Sequence, residues 1–140
     1  MKHWLVDTGP FVAYLDYRES AHSTVVDTLE DFTGQIVTTS AVITEVMYFV
    51  SGHSDGPGSF AALLLDAGVQ VVEASQPEDV LAAASLMKKY ADTPMDYADA
   101  TLVAAADRLD VREILTLDRR GFSTYRTQKG KRFQLVLEPR

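Results

Sequence analysis

Apolar residues recur along this chain with two different spacings. Short runs rich in apolar residues, typical of buried strands, occur at residues 3–6, 36–37, 69–72 and 114–117, and a further edge strand is predicted at 132–136. Between them, apolar residues return every three or four positions, as on the buried face of a helix. This alternation predicts an α/β fold: a mainly parallel sheet flanked by helices on both faces.

Start and stop signals divide the helical stretches. Pro10 suits the first turn of a helix, Gly34 suits a helix end, and the hydroxyls of residues 38–40 suit a helix start. The segment 51–59, SGHSDGPGS, is rich in turn formers and is predicted to be a loop. The predicted helices span residues 10–18, 20–32, 42–50, 60–67, 77–90 and 96–109. With 140 residues and no linker, the chain is predicted to be a single domain, 1–140.

Acidic residues fall where predicted strands end and predicted helices begin. Asp7 follows the first strand and Asp118 follows the strand at the fourth position, while Glu45 and Asp99 lie early in two helices. Asp96 precedes Asp99 by three residues, which places both on one helical face. Ligands of open parallel sheets bind beyond the C-terminal ends of the strands, so we expect these carboxylates to share one site there.

Such a carboxylate cluster predicts a metal site. Neighbouring carboxylates in a partly buried cleft repel one another, and a bound cation relieves that repulsion. The chain has no cysteine and no paired histidines, so the available ligands are oxygens, which favour Mg2+ or Mn2+ over Zn2+. Ions of this kind activate water and stabilise negative charge on a phosphate.

Four segments carry these five acids: LVDTGPFVAYLD, TTSAVITEV, MDYADATLVAAADRL and ILTLDRRGF. Together they resemble the PIN-domain ribonucleases, especially the VapC-like toxins of bacterial and archaeal type II toxin-antitoxin systems. The resemblance extends over essentially the whole chain. It implies that the catalytic, metal-binding acids are Asp7, Glu45, Asp99 and Asp118. Asp96 is an additional acid near the site and a further candidate metal ligand.

The same resemblance implies an activity and partners. The implied reaction is hydrolysis of an RNA phosphodiester by a water activated by one or two Mg2+ or Mn2+ ions. Thr8 and Thr116 are implied to orient the carboxylates. A cognate antitoxin protein and a homodimeric state are implied as well.

Composition adds constraints on how RNA is bound and where the protein resides. The net charge of -7 argues against a broad basic surface, so RNA must be engaged locally or through bound metal, although basic clusters remain at 88–89, 119–120 and 126–132. The absence of cysteine fits a reducing compartment, and no secretion signal is evident, so we expect a cytoplasmic protein. The longest later stretch rich in apolar residues, 98–106, is interrupted by Asp99 and Thr101 and is far shorter than the ~20 residues of a membrane span.

Other interpretations of these residues compete with the metal site. Asp7 and Asp118, taken singly, suit helix caps, and a cap is the favoured role of Asp96. Asp7-Thr8-Gly9 is also the triplet of aspartic proteases, which need two such loops in a mainly β fold. A catalytically silent PIN-like module that binds RNA or protein is the alternative function. Tyr14, Tyr48 and Phe49, at helical spacing, are expected to pack in the core rather than to serve as base-stacking platforms, and the three histidines are assigned no catalytic role.

Overall fold

The computed structural model describes residues 1–137, so residues 138–140 of the predicted domain lie outside the described part. Within it, five strands form one entirely parallel sheet in the order β3-β2-β1-β4-β5. The strands are β1 (His3–Val6), β2 (Gln35–Thr39), β3 (Gln70–Val72), β4 (Glu113–Leu115) and β5 (Gln134–Leu135). The predicted α/β class is therefore confirmed, including the edge strand near the C-terminus.

Helices cover the sheet and connect its strands. They are α1 (Thr8–Leu15), α2 (His22–Glu30), α3 (Ser40–Val50), α4 (Gly56–Asp66), α5 (Pro77–Lys89), α6 (Tyr97–Leu109) and α7 (Arg119–Thr124). The small residues Ala98, Ala100 and Thr101 are buried on α6, which lets this helix lie against β2. None of these described helices is both long and apolar enough to span a membrane.

The core is centred on β1, the middle strand of the sheet. Leu5 and Val6 of this strand are fully buried, as expected for a strand with neighbours on both sides and helices above and below it. The hydroxyl of Thr38 donates to the Val6 carbonyl oxygen at 2.9 Å, and the hydroxyls of Thr39 and Thr101 lie 2.8 Å apart. Buried polar groups near the end of β2 thus have the hydrogen bonds that burial requires.

The predicted loop at 51–59 is too long, because α4 begins inside it at Gly56. Pro57 suits the first turn of that helix, and Phe60 is fully buried with its ring centroid 5.3 Å from that of Phe11. A Cβ at position 56 would lie 2.2 Å from the carbonyl oxygen of Val50. Glycine therefore allows the chain to pass close to the end of α3 and start the next helix early.

The C-terminal end predicted for the strand at 114–117 is also wrong. β4 stops at Leu115, and the next three residues form a connection to α7, a helix that the periodicity did not predict. α7 has six residues, which is too short for a helical repeat to emerge from the sequence. Similarly, α1 ends at Leu15 rather than near residue 18, because Asp16 has extended backbone angles.

Candidate active site

The C-terminal ends of β1 and β4 face a cavity of about 470 Å³, here called the carboxylate cavity. All five acids singled out from the sequence line it: Asp7, Glu45, Asp96, Asp99 and Asp118. The edge predicted by the parallel topology is therefore where the structure brings them together. Glu19 lines the cavity as well and was missed, because it lies in an irregular segment between α1 and α2 that carries no motif.

Asp7 is the most deeply buried of these acids, with 8% of its surface exposed. It directly follows β1 and caps α1: its Oδ1 accepts the backbone N–H of Thr8 at 2.8 Å, and its Oδ2 accepts the Thr116 hydroxyl at 2.9 Å. Burial raises the pKa of Asp7 to about 6 despite these hydrogen bonds, and repulsion from Asp96 and Glu45 adds to the rise. A nearby positive charge would relieve this penalty.

Thr116 connects Asp7 to Asp118. Its hydroxyl oxygen accepts the backbone N–H of Asp118 at 3.0 Å and directs its own proton to the carboxylate of Asp7. The hydroxyl of Thr8, by contrast, is buried without a hydrogen-bond partner among residues 1–137. Both threonines that were expected to orient carboxylates contact Asp7: Thr116 through its side-chain hydroxyl and Thr8 through its backbone N–H.

Asp118 is exposed, and its carboxylate is oriented by a hydrogen bond from Gly121. Its Oδ1 accepts the backbone N–H of Gly121 at 3.0 Å, which makes it the N-cap of α7. A Cβ at position 121 would lie 2.2 Å from Asp118 Oδ2, so a larger residue would displace the carboxylate. Gly121 was not identified from the sequence, although an Asp followed by a Gly three residues later is consistent with such a turn.

Asp96 and Asp99 cap each other's backbone at the start of α6. The N–H of Asp99 donates to Asp96 Oδ1 at 2.8 Å, and the N–H of Asp96 donates to Asp99 Oδ2 at 3.1 Å. Asp96 is exposed and precedes the helix, so the cap role favoured from the sequence is confirmed. Asp99 is half-buried, and burial, followed by repulsion from Asp7 and Asp96, raises the pKa of its carboxyl well above the usual range.

Glu45 approaches the cavity from α3 and is half-buried. The buried stripe of this helix consists of Val42, Val46 and Val50. Tyr48 and Phe49 lie off that stripe, with 76% and 55% of their surfaces exposed, so the expectation that they pack in the core is wrong. Phe49 instead lines the carboxylate cavity beside Glu45.

The donor set fits a hard divalent cation. Every charged side chain that lines the cavity is a carboxylate, and two of these carboxylates have raised pKa values because they are buried beside other acids. In residues 1–137, no three His, Asp or Glu side chains converge closely enough to hold one ion among them. The acids thus surround a common cavity, and a bound ion would have to draw them together.

The fold excludes the aspartic-protease interpretation of Asp7-Thr8-Gly9. That chemistry needs two such loops in a mainly β architecture, whereas here the triplet joins a parallel strand to α1. Its aspartate faces other acids from four separate segments rather than a second copy of the triplet. The geometry supports a carboxylate site for a cation.

Comparison with known proteins gives consistent matches. The family model of the PIN domain matches residues 4–127. The chain is 32% identical over 133 residues to Ribonuclease VapC26 of Mycobacterium tuberculosis, an alignment that covers 94% of this chain and 98% of the relative.

Solved structures share the fold. VapC20 of Mycobacterium tuberculosis, described as a Sarcin-Ricin loop cleaving toxin, superposes with a TM-score of 0.73 at 17% identity, covering 82% of this chain and 89% of that one. VapBC2 from Rickettsia felis, bound to a DNA fragment from its promoter, gives a TM-score of 0.64 at 12% identity, covering 95% of this chain and 98% of that one. At these identities the likeness concerns architecture.

Proposed function

Because this chain belongs to the PIN domain family, we propose that it is a metal-dependent endoribonuclease that hydrolyses RNA phosphodiester bonds and serves as the toxin of a type II toxin-antitoxin pair. The observation that carries the proposal is the carboxylate cavity, which five acids from four segments line at the C-terminal edge of the sheet. The identity to a ribonuclease over 94% of the chain supports the same conclusion.

We propose that the cation is held by Asp7, Glu45, Asp99 and Asp118, with Asp96 as an additional ligand at the rim of the carboxylate cavity. When bound, Mg2+ or Mn2+ lowers the pKa of a water and neutralises charge on the phosphate. Two of the ligands are oriented before an ion draws the acids together: Thr116 and the Thr8 N–H hold Asp7, and the Gly121 N–H holds Asp118. This preorganisation reduces the rearrangement needed during the reaction, and no side chain becomes covalently attached.

The proposed function also suggests a protein partner, an oligomeric state and a cellular location. The structural likeness to VapBC2 supports a cognate antitoxin protein as partner. We further propose a homodimer, a cytoplasmic location and one catalytic domain that spans residues 1–140. The net charge of -7 is consistent with a nuclease that engages RNA locally rather than over a broad basic surface.

The test is incubation of the purified protein with total RNA in Mg2+, in Mn2+ and in excess chelator. We expect cleavage with either metal, its loss in chelator and its recovery on adding metal back. Asp7→Asn should be inactive, while Asp27→Asn, at an exposed position on α2, should cleave like wild type. Cleavage that persists in chelator contradicts the metal dependence, and RNA binding without cleavage in either metal supports the catalytically silent module instead.

A further inference from the structure

A second, mostly apolar groove of about 690 Å³ adjoins the carboxylate cavity. It runs between α3 and the start of α6, with Ala41, Tyr48 and Phe49 on the α3 side and Tyr97 on the α6 side. We call it the aromatic groove. Its size falls within the range of sites that take small organic ligands.

The aromatic groove and the carboxylate cavity are continuous. Glu45, Phe49 and Asp96 line both of them, so Phe49 stands at the boundary between the acidic site and the apolar one. A nucleic-acid strand whose phosphate lies among the carboxylates would therefore bring an adjacent nucleotide to the aromatic groove.

The two rings of α3 are available for contact with a ligand. Tyr48 and Phe49 are 76% and 55% exposed, and their ring centroids lie 5.5 Å apart at an interplanar angle of 77°. The core contact of α3 is made by its valine stripe, so most of the surface of these rings is left uncovered. Neighbouring exposed aromatic rings offer flat apolar faces on which a base can stack.

Charge favours a base over a phosphate as the occupant. The groove is bordered by Glu45 and Asp96, and the whole chain carries a net charge of -7, so a backbone phosphate would be repelled from this surface. Stacking needs no positive charge on the protein and tolerates any base, since every base has a π-face. Affinity for a strand can therefore arise here despite the acidic surroundings.

We propose that the aromatic groove is a nucleobase-stacking subsite that takes one unpaired base next to the phosphate held in the carboxylate cavity. This inference rests on the proposed function and adds a base-binding subsite next to its active site. A base inside a duplex cannot lay its face against Tyr48 or Phe49, so the subsite accepts only an unpaired base.

The test compares Tyr48→Ala, Phe49→Ala and the ring-preserving Tyr48→Phe on a single-stranded RNA that the wild type cleaves. Tyr17→Ala is the matched control, because Tyr17 is an aromatic residue with 80% exposure that lines neither the carboxylate cavity nor the aromatic groove. Binding is measured separately in the Asp118→Asn background, as quenching of 2-aminopurine placed in single-stranded RNA. Light scattering and thermal melts accompany every variant.

We expect both alanine variants to raise KM, and the Kd from quenching, by about 5- to 100-fold, since loss of one stacking contact removes affinity of that order. The kcat should stay close to that of wild type. The loss should be equal at low and high salt, because stacking releases no counterions. Tyr48→Phe and Tyr17→Ala should behave like wild type, and melting temperatures should not change.

Wild-type KM and Kd in both alanine variants would overturn the subsite. So would a loss of binding that accompanies a change in oligomeric state, because the groove would then be an interface between copies of this chain. If the wild type cleaves no RNA in Mg2+ or Mn2+, the proposed function fails by itself, and the quenching measurements still decide whether the groove stacks a base.

Discussion

The turns that carry Asp7 and Asp118 differ more than their sequences suggest. Each aspartate follows a parallel strand, caps the next helix and lines the carboxylate cavity, and Thr116 connects the two. Asp7, however, directly follows β1 and is 8% exposed, whereas Asp118 lies three residues beyond β4 and is exposed.

This difference separates two ways in which a chain can prepare a metal ligand. Burial makes the charge on Asp7 unfavourable until a cation is bound, which is why its pKa rises to about 6. Asp118 remains solvated, and its contribution depends on the direction in which Gly121 holds its carboxylate. We therefore expect changes at Asp7 to alter stability and activity together, and changes around Asp118 to alter activity alone.

The largest expected effect is the loss of cleavage in Asp7→Asn and Asp118→Asn. Each change removes a ligand charge at nearly constant volume, so activity should fall by about a thousandfold, in line with the several kcal/mol that metal-ion catalysis provides. Of these two variants, Asp7→Asn alone should also raise the melting temperature of the metal-free protein. Cleavage assays and melts in chelator check both statements, and equal metal-free melting temperatures for the two variants would contradict the comparison.

The second prediction is that the metal-free protein loses stability as pH rises. The pKa of Asp7 is raised from 3.8 to about 6 in the folded protein, so the folded state binds the proton more tightly, and ionisation of Asp7 opposes folding. Stability should fall as pH rises above about 4 and level off above about 6, by up to about 3 kcal/mol from this group. The raised pKa of Asp99 extends the fall to higher pH.

Denaturant titrations of metal-free protein across this pH range measure the effect. Asp7→Asn should flatten the profile, and saturating Mg2+ should restore stability at the high-pH end by binding the ionised form. A profile for wild type that rises with pH over the same interval would show that the acids are not destabilised by their burial.

The third prediction isolates the Asp118 turn by changing Gly121→Ala. The added Cβ would meet Asp118 Oδ2 and lie 3.1 Å from Tyr125 Cε2, so the carboxylate must turn away while the Asp7 turn remains intact. Misplacement of a ligand by about 1 Å can cost about 100-fold in rate. Gly58→Ala is the control, because a Cβ there meets nothing within 4 Å. Wild-type activity in Gly121→Ala would refute the role of the glycine.

The smallest effect is expected at Asp96. Because it is exposed and already serves as a helix cap, Asp96→Asn should lower activity less than Asp99→Asn, which changes the half-buried acid with the raised pKa. Asp99→Asn should also melt higher than wild type without metal and gain less from Mg2+ or Mn2+. Parallel metal titrations followed by melting temperature and cleavage rate test this order. A larger loss of activity in Asp96→Asn than in Asp99→Asn would show that the cation is held closer to Asp96, at the rim of the cavity.

The sequence alone determined the parallel α/β architecture and the edge where the acids meet. Hydrophobic spacing reports secondary structure locally, and parallel strands connected by helices place all their C-terminal ends on one edge, so Asp7 and Glu45 could be assigned to one site without coordinates. Asp96 could likewise be interpreted as a cap, because capping depends on residues within one turn of the helix.

Only the tertiary structure decided the depth and surroundings of these residues. The apolar residues of α3 nearly encircle the helix, so their pattern could not indicate that Val42, Val46 and Val50 face the core while Tyr48 and Phe49 face a groove. The hydrogen bond from the Thr116 hydroxyl to Asp7 joins residues that are 109 positions apart in the sequence. Burial and long-range hydrogen bonds depend on how distant segments pack together, and that packing has no periodicity along the chain from which it could be derived.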